Sequence, residues 1–398
     1  MISFLDTYNQ KILDYSFALF AFLLPLSSAL PNILIIPIGL IFLFKIIVLK
    51  RIKFSLFWLI NLILLIFTLT LAITQHHFID ELSFQKEYLA GLAIFLMIGE
   101  VSRTKKIELS FVVGVLSAII INIFYIAFQV VNFSDLNLSV GSEVNNFLII
   151  ERPYFAFFTV LTNFIIFKWI RNGQNKYTYL IATLSALFCF FITARLGMML
   201  HVFLIFHHIF KSLKKTKFKQ ITAIFLISVS IGLILYNNAY LKKRLRIDSN
   251  IEKTYEKLKV FEIRFTVWDC SIQTLSNNWL IGLKSHKNLI PVLTDCYLSK
   301  VDPKRKHMLK YYKSRKFNTH NQFFDFWLLS GVIGIFLFIF MLTYPFIKAK
   351  QHRQMLTLLV LFIGFFLVEN VFHRQLGCYV FAIFLGLYTP KTNYVSWG

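Results

Sequence analysis

Charged residues are scarce in this sequence. They make up 15% of the 398 positions, whereas soluble globular proteins carry roughly 25%. Apolar residues reach 57%, and the mean hydropathy is +0.65. Because one globular core cannot bury that much apolar surface, the composition excludes an ordinary soluble domain and predicts a membrane protein.

Motifs that bind nucleotides or metal ions are also missing. The sequence has no Gly-x-x-x-x-Gly-Lys-Ser/Thr loop, which argues against ATP as the energy source. It has no His-Glu-x-x-His, Cys-x-x-Cys or Asp-x-Asp pattern, and the side chains of its adjacent pairs His76-His77 and His207-His208 point apart. We therefore expect no cofactor and no metal ion in the chemistry.

Cysteine is rare as well, with four residues in the chain. Cys189 and Cys378 fall in apolar segments, where a buried free thiol is ordinary. Cys270 and Cys296 share one long polar segment, and a bridge between them is possible if that side of the membrane is oxidising. The sequence leaves this pairing open.

Long apolar runs dominate what is present. A helix needs about 20 apolar residues to cross a bilayer, and the runs predict an all-α polytopic membrane protein with about 12 transmembrane helices. The first two are expected to form a hairpin that turns at Pro31-Asn32. The predicted spans are 15–30, 31–49, 54–74, 86–101, 109–131, 153–170, 177–194, 196–210, 218–236, 322–347, 354–372 and 375–390.

Lysine and arginine predict the orientation of these spans. With a cytoplasmic N-terminus, 20 of the 42 face the cytoplasm, 4 lie in short outer connections and 18 lie in one long outer loop, which crosses regardless of its charge. The predicted parts are transmembrane helices 1–9 in residues 1–236, the outer loop with surface helices in 237–320, and helices 10–12 in 321–398. The net charge of +23 then reflects orientation and contact with membrane lipids, and nucleic acid is not an expected partner.

Ionisable residues gather at the predicted outer ends of the spans, where charged side chains typically mark function. Arginine offers a planar fork that matches phosphate oxygens, so this set favours a phosphate-bearing ligand. Each arginine could instead mark a helix end or pair with a nearby acid. The residues are Arg152, Arg195, Arg264, His320, Glu369 and Arg374.

His320 stands directly before a predicted span. Asn321 follows it, and Asp325 lies one helical turn later on the Asn321 face. Ser330 and Gly334 are small residues four positions apart, which would let this helix pack closely against a neighbour. Because histidine exchanges a proton near neutral pH, a fixed His320 suits general-base work; a solvated loop histidine is the alternative.

The order of several short motifs resembles the O-antigen ligase superfamily, which also contains O-antigen polymerases and some protein O-oligosaccharyltransferases. A Thr-x-Arg turn follows the seventh span, an arginine and a tryptophan lie in the long outer loop, and His-Asn precedes Leu-x-x-Gly-x-x-Gly. The matching residues are Thr193-Ala194-Arg195; Arg264, Trp268 and Gly282; His320, Asn321, Leu328, Gly331 and Gly334; and Glu369-Asn370 with Arg374.

This resemblance implies a GT-C-like glycosyltransferase of lipopolysaccharide biosynthesis, a multi-pass protein of the bacterial inner membrane with its active face in the periplasm. The donor would be a glycan on undecaprenyl pyrophosphate, and the acceptor a sugar hydroxyl of lipid A–core. The transfer would be metal-independent and inverting. Together with the residue types at the predicted outer ends of the spans, the resemblance implies catalytic roles for His320, Arg195 and Arg264. It implies substrate binding by Arg152, Asn321, Glu369 and Arg374.

Three alternatives stay open at this point. A polysaccharide polymerase of the same fold would add repeat units to a second lipid-linked glycan, and a protein-glycosylating relative would use a protein acceptor. A flippase or other transporter of lipid-linked glycans would place ionisable groups nearer the bilayer midplane. His201 and Asp325 are the best candidates for such deeper positions, and a deeper cluster around them, towards the bilayer midplane, would favour transport.

Overall fold

The computed structural model describes residues 2–132, 145, 147–171, 177–192, 194–212, 250, 252, 263–301, 309–310, 313–314, 318–348, 353–389 and 394–396. The all-α class is confirmed for these residues, whose strands β1 (Arg51–Lys53) and β2 (Tyr394–Ser396) form one short antiparallel pair. The helices are α1 Ile2–Leu23, α2 Leu30–Leu49, α3 Leu56–Ile73, α4 Phe78–Ile98, α5 Thr104–Asn132, α6 Arg152–Arg171, α7 Tyr177–Phe191, α8 Arg195–Ser212, α9 Ile263–Asn278, α10 His286–Lys300, α11 Gln322–Lys348, α12 Arg353–Phe366, a 3-10 helix Val371–His373, and α13 Gln375–Tyr388.

Five of these helices (α2, α3, α5, α6 and α11) are long and apolar enough to cross a membrane, and α7, α8, α12 and α13 are shorter apolar helices. Every predicted span overlaps a helix except the ninth, 218–236, which lies outside the described residues together with 237–249 of the outer loop. In α2 only 17% of the residues of its apolar stretch are buried by protein. Most of the surface of this helix therefore suits contact with lipid. The count of twelve spans stays a prediction.

The predicted turn at Pro31-Asn32 is wrong. Helix α1 ends at Leu23, and the amide of Ser27 donates to the Leu23 carbonyl at 3.0 Å in the turn that follows. Pro31 lies instead in the first turn of α2. Proline suits that place because the first amides of a helix have no acceptor within it and the proline ring fixes a helical φ.

The described chain forms two compact units. Unit 1 comprises Met1–Phe20, Ala29–Ile107 and Glu262–Gly398, and unit 2 comprises Ala21–Ser28 and Glu108–Phe261. In unit 2, α6 packs against α7 and α8. A Cβ added at Gly197 would lie 2.7 Å from the Cβ of Ala156, so α8 and α6 approach closely one turn from Arg195.

In unit 1, α4 packs against α3 and α13, and α11 packs against α3 and α12. The rings of Phe366, Phe372 and Phe381 form a buried aromatic group, with centroids 5.0–5.7 Å apart. Burial of each such ring contributes about 1.5–3 kcal/mol. This core lies on both sides of the loop that carries Glu369 and gives that loop a fixed base.

Lys45 is one of the cations whose position predicts an inward-facing connection. In unit 1 its ammonium is buried and lies 2.9 Å from the Glu100 carboxylate, and it also donates to Gln10 at 2.8 Å. A buried charge is tolerated only when it is paired in this way. Lys45 therefore fastens α2 to the end of α4 as well as adding to the charge asymmetry.

Helix α11 is broken at Gly331, whose φ of 65° and ψ of −159° are reserved for glycine. The loop before α10 fills the break: the amides of Leu283 and Lys284 donate to the carbonyls of Leu328 and Leu329, at 2.7 and 2.8 Å, and the Val332 amide donates to Leu280 at 3.2 Å. The expected close packing between helices at Ser330 and Gly334 takes another form. The Ser330 hydroxyl occupies the space beside Gly334 and donates to Phe326 within the same helix.

The described part of the outer loop has a core of its own. Val267 and Leu275 on α9 pack with Leu289 and Tyr297 on α10 and with Leu328 on α11. The pairing that the sequence left open is present: Cys270 and Cys296 form a disulfide between α9 and α10. The bridge and this core together hold Arg264, in the first turn of α9, in a fixed place.

We expect the variant with Cys270→Ala and Cys296→Ala to be less stable by roughly 3 kcal/mol, because the bridge restricts a loop of 26 residues in the unfolded chain. Thermal unfolding of the purified protein measures this loss. Alkylation after denaturation should label two cysteines without reductant and four after reduction, since Cys189 and Cys378 are free. Four labelled cysteines without reductant would contradict the bridge.

Candidate active site

Three segments of unit 1 meet around Glu369: the start of α9, residues 318–321, and the loop 367–370. The Arg264 Nη2 lies 2.6 Å from Oε1 of Glu369, and its Nε donates to the Val368 carbonyl at 3.2 Å. The side chain of Arg264 is 31% exposed, whereas that of Glu369 is 12% exposed. These buried contacts hold the guanidinium in one orientation, and part of it stays accessible to a ligand.

His320 occupies the other oxygen of the same carboxylate. Its Nδ1 lies 3.5 Å from Oε2 of Glu369, and its carbonyl accepts from the Trp268 indole at 3.4 Å. The φ of His320 is +45°, a left-handed conformation that is uncommon for residues other than glycine and is found often at functional sites. Glu369 therefore stands between an imidazole and a guanidinium.

The charge state of Glu369 follows from these neighbours. Burial on its own raises the pKa of a carboxyl group, but the interaction with the His320 imidazole and the charge of Arg264 outweigh it and lower the pKa of Glu369. The carboxylate is therefore ionised at neutral pH. Its contribution to stability is present above the ordinary carboxyl pKa and is lost as the pH falls through the lowered value.

Asn321 holds the backbone in place around His320. Its Oδ1 accepts from the amides of Phe323 and Phe324, at 2.9 and 3.1 Å, which caps α11, and its Nδ2 donates to the Leu367 carbonyl at 3.0 Å. A second hydrogen bond links the same two segments: the side-chain Nδ2 of Asn370 donates to the Thr319 hydroxyl at 3.0 Å. Asn321, which the sequence predicts to bind the substrate, is buried, and its side-chain amide connects the His320 segment to the Glu369 loop.

The remaining predicted residues stand at the starts of other helices. Arg374 directly precedes α13, is exposed, and its amide donates to the Val371 carbonyl at 3.3 Å. In unit 2, Arg152 is the first residue of α6 and Arg195 the exposed first residue of α8; Thr193 is outside the described residues. Unit 1 thus brings Arg264, His320 and Glu369 together, and the convergence of Arg195 on them stays a prediction.

Residues 180–339 match the family model described as O-antigen ligase. This stretch is therefore similar to O-antigen ligases. The superfamily resemblance is thereby confirmed. Comparison with curated proteins gives no match. The matched stretch includes Arg195, Arg264 and His320, whereas Glu369 joins the cluster from outside it.

Residues of the matched stretch also form a buried polar group with α4 and the 3-10 helix. The Nε2 of His373 lies 2.8 Å from Oδ2 of Asp325 and 3.1 Å from Nε2 of His286. The Nδ1 of His286 lies 2.7 Å from Oε1 of Glu81. Burial lowers the pKa of a histidine, but the charge of Glu81 and the hydrogen bond with Asp325 outweigh it and raise the pKa of His286 to about 10.

The sequence prediction missed most of this group, since only Asp325 was named. Glu81 and His286 are 205 positions apart, and His286 and His373 are 87 apart, so no local spacing joins them. One signal was available: a carboxylate at the start of an apolar span must find a partner when it is buried. His201, the other candidate for a deep site, lies in unit 2, where its Nδ1 is 2.8 Å from the Gly197 carbonyl of its own helix.

Proposed function

We propose that this protein transfers a glycan from undecaprenyl pyrophosphate to a sugar hydroxyl of lipid A–core, at the periplasmic face of the bacterial inner membrane. The observation that carries the proposal is the placement of Arg264 and His320 on the two oxygens of one buried carboxylate, Glu369. A cation for the leaving diphosphate and a base for the acceptor hydroxyl are thereby held side by side, next to an O-antigen ligase match.

The acceptor hydroxyl attacks the anomeric carbon of the donor sugar, and the bond from that carbon to the pyrophosphate oxygen breaks. A single displacement of this kind inverts the anomeric centre. His320 takes the proton of the hydroxyl: with Nδ1 directed at Glu369, its Nε2 is the basic nitrogen. The electron pair of the broken bond leaves with the pyrophosphate.

Arg264 stabilises the negative charge that grows on the leaving group, and Arg195 supplies a second guanidinium from the start of α8. Fixed cations in a site of low dielectric replace the metal ion that many glycosyltransferases use, so the transfer step itself is metal-independent. Arg152 and Arg374 would bind the lipid-linked donor and add to the stabilisation of its leaving group. Glu369 and Asn321 become positioning residues, because both are buried and engaged with protein groups.

The disulfide supports the orientation. Disulfide bonds persist in oxidising compartments and are rare in the cytoplasm, and Cys270 and Cys296 bridge two helices of the predicted outer loop. The inner and outer distribution of lysine and arginine gives the same orientation by an independent route.

The test is complementation of a bacterial strain that lacks its O-antigen ligase. We expect wild type to restore glycan attachment to lipid A–core, and Arg264→Lys and Arg195→Lys each to lower it at least about tenfold, since lysine lacks the planar fork. Arg103→Lys is the matched control, because Arg103 lies in a predicted cytoplasmic connection and its side chain is 41% exposed. Attachment is read from lipopolysaccharide separated by electrophoresis at equal protein level.

Two outcomes would contradict the proposal. If both lysine variants attach glycan as wild type does, the arginines do not bind the leaving group. If membranes supplied with lipid-linked repeat units make ladders that carry no lipid A, the protein is a polymerase of the same fold and not a ligase.

A further inference from the structure

Three ligand atoms converge in the buried group of unit 1. The Nε2 of His286, the Nε2 of His373 and Oδ2 of Asp325 are separated by 3.1, 2.8 and 3.6 Å, and all lie within 4.8 Å of one another. Around a tetrahedral zinc ion bound at about 2.0–2.1 Å, neighbouring ligand atoms are about 3.3–3.4 Å apart. The observed separations of 2.8–3.6 Å scatter around this value, so the three atoms could form one face of such a site after small shifts.

The outer contacts of His286 also match a metal ligand. Its Nδ1 faces Oε1 of Glu81 at 2.7 Å, and its backbone amide donates to Oε2 of the same carboxylate at 2.9 Å. A histidine that binds a metal through Nε2 almost always donates its other N–H to a carboxylate or carbonyl. Gln85, one turn along α4, fixes Glu81 in turn by donating to Oε1 at 2.5 Å.

A second observation points to a ligand independently of these distances. Asp325 is 2% exposed, and its Oδ1 accepts no hydrogen bond among the residues that the structure describes. A buried acceptor without a hydrogen bond destabilises the folded protein, and more so when it is charged. A cation beside the carboxylate would offset that cost, and a divalent ion would also balance the two negative charges of Asp325 and Glu81.

We propose that His286, Asp325 and His373 form a binding site for a divalent transition metal of the zinc class. Two imidazoles and one carboxylate are ligands that Zn²⁺ accepts, whereas Mg²⁺ and Ca²⁺ prefer oxygen alone. This departs from the expectation, drawn from the missing sequence motifs, of no metal ion. The ligands come from three separate segments, so no contiguous motif could reveal them.

The role of the ion is structural. It joins the start of α10, the first turn of α11 and the 3-10 helix, and through Glu81 it joins them to α4. Asp325 follows His320 by five positions and His373 follows Glu369 by four, so the ion would fix both loops of the candidate active site from the protein side. The inference does not depend on which glycan or acceptor the protein uses.

The test is zinc content and stability of the full-length protein, purified in detergent. After treatment with a chelator and exposure to one equivalent of Zn²⁺, wild type should retain about one zinc per chain by elemental analysis and should unfold at a higher temperature than the chelated protein. His373→Asn and Asp325→Asn should each bind zinc at least about tenfold more weakly and show no such shift. The control His76→Asn should behave as wild type, since His76 is exposed and its positive φ suits asparagine.

Cobalt keeps the test decisive if a variant fails to fold. Co²⁺ added to chelated wild type should give the visible absorption of a four-coordinate site, and Zn²⁺ should abolish it. Wild type that holds less than about a tenth of an equivalent of zinc, or His373→Asn that holds as much as wild type, would overturn the proposal. In that case the contacts among His286, His373 and Asp325 are hydrogen bonds of a protonated histidine pair, and no ion binds there. Glycan transfer is not the readout, so this failure is separate from failure of the proposed function.

Discussion

His320→Asn is expected to lower the rate of glycan transfer by about 10²–10⁴-fold, which is the usual contribution of a general base. Asparagine keeps the left-handed backbone that His320 adopts, at φ +45°, but has no group that takes up a proton at neutral pH. The loss should therefore appear in the rate and not in the amount of folded protein. Transfer between purified donor and lipid A–core, at matched protein concentration, measures it.

Two further variants separate chemistry from backbone strain. His320→Ala removes the imidazole and also forces alanine into the left-handed region, which costs about 1–2 kcal/mol, so it should be as inactive as His320→Asn and less stable. His76→Asn changes a histidine of φ +56° that is exposed, and it should transfer glycan normally. If His320→Asn retains more than about a tenth of the wild-type rate, His320 is not the base.

Gly331→Ala is expected to have the largest effect on folding, a loss of about 3 kcal/mol or more of the free energy of unfolding. Only glycine readily adopts φ 65° with ψ −159°, and an added Cβ would lie 2.2 Å from the Leu280 carbonyl oxygen. The substitution must push the loop 280–284 away from the broken helix and open the hydrogen bonds that hold it there. Thermal or denaturant unfolding in detergent measures the loss.

Gly39→Ala is the matched control for this prediction. Gly39 lies inside α2, and an added Cβ would meet nothing within 4 Å. Alanine should leave stability unchanged or raise it by up to about 1 kcal/mol, because it forms helix more readily than glycine. Equal stability of Gly331→Ala and wild type would show that the break in α11 can be closed without cost.

The helices themselves could be predicted from the sequence because apolar runs of about 20 residues have few other solutions in a bilayer. Their ends were harder to place. Pro31 is compatible with a turn and with the first turn of a helix, and the structure has the second. Residues 367–372 also looked like the end of a span, yet α12 stops at Phe366 and leaves Glu369 in a loop.

The site shows a similar division. Arg264 and His320 were predicted from the motifs that resemble the superfamily, and the family match covers both. Their common partner was not predictable, since Glu369 is 105 positions from Arg264 and its sequence neighbourhood favours a salt bridge with Arg374 as much as any other pairing. The histidine and carboxylate group around Asp325 had no motif at all.

By itself the sequence determined the all-α class, the apolar helices, the charge asymmetry and the resemblance to O-antigen ligases, because each depends on composition or on spacing along a short stretch of chain. Only the tertiary structure decided that Glu369 lies between His320 and Arg264, that His286 and His373 meet at Asp325, and that Cys270 is bonded to Cys296. Such pairings depend on how helices far apart in the chain pack. Packing is fixed by the summed burial and close contacts of many side chains, and no single stretch of sequence records it.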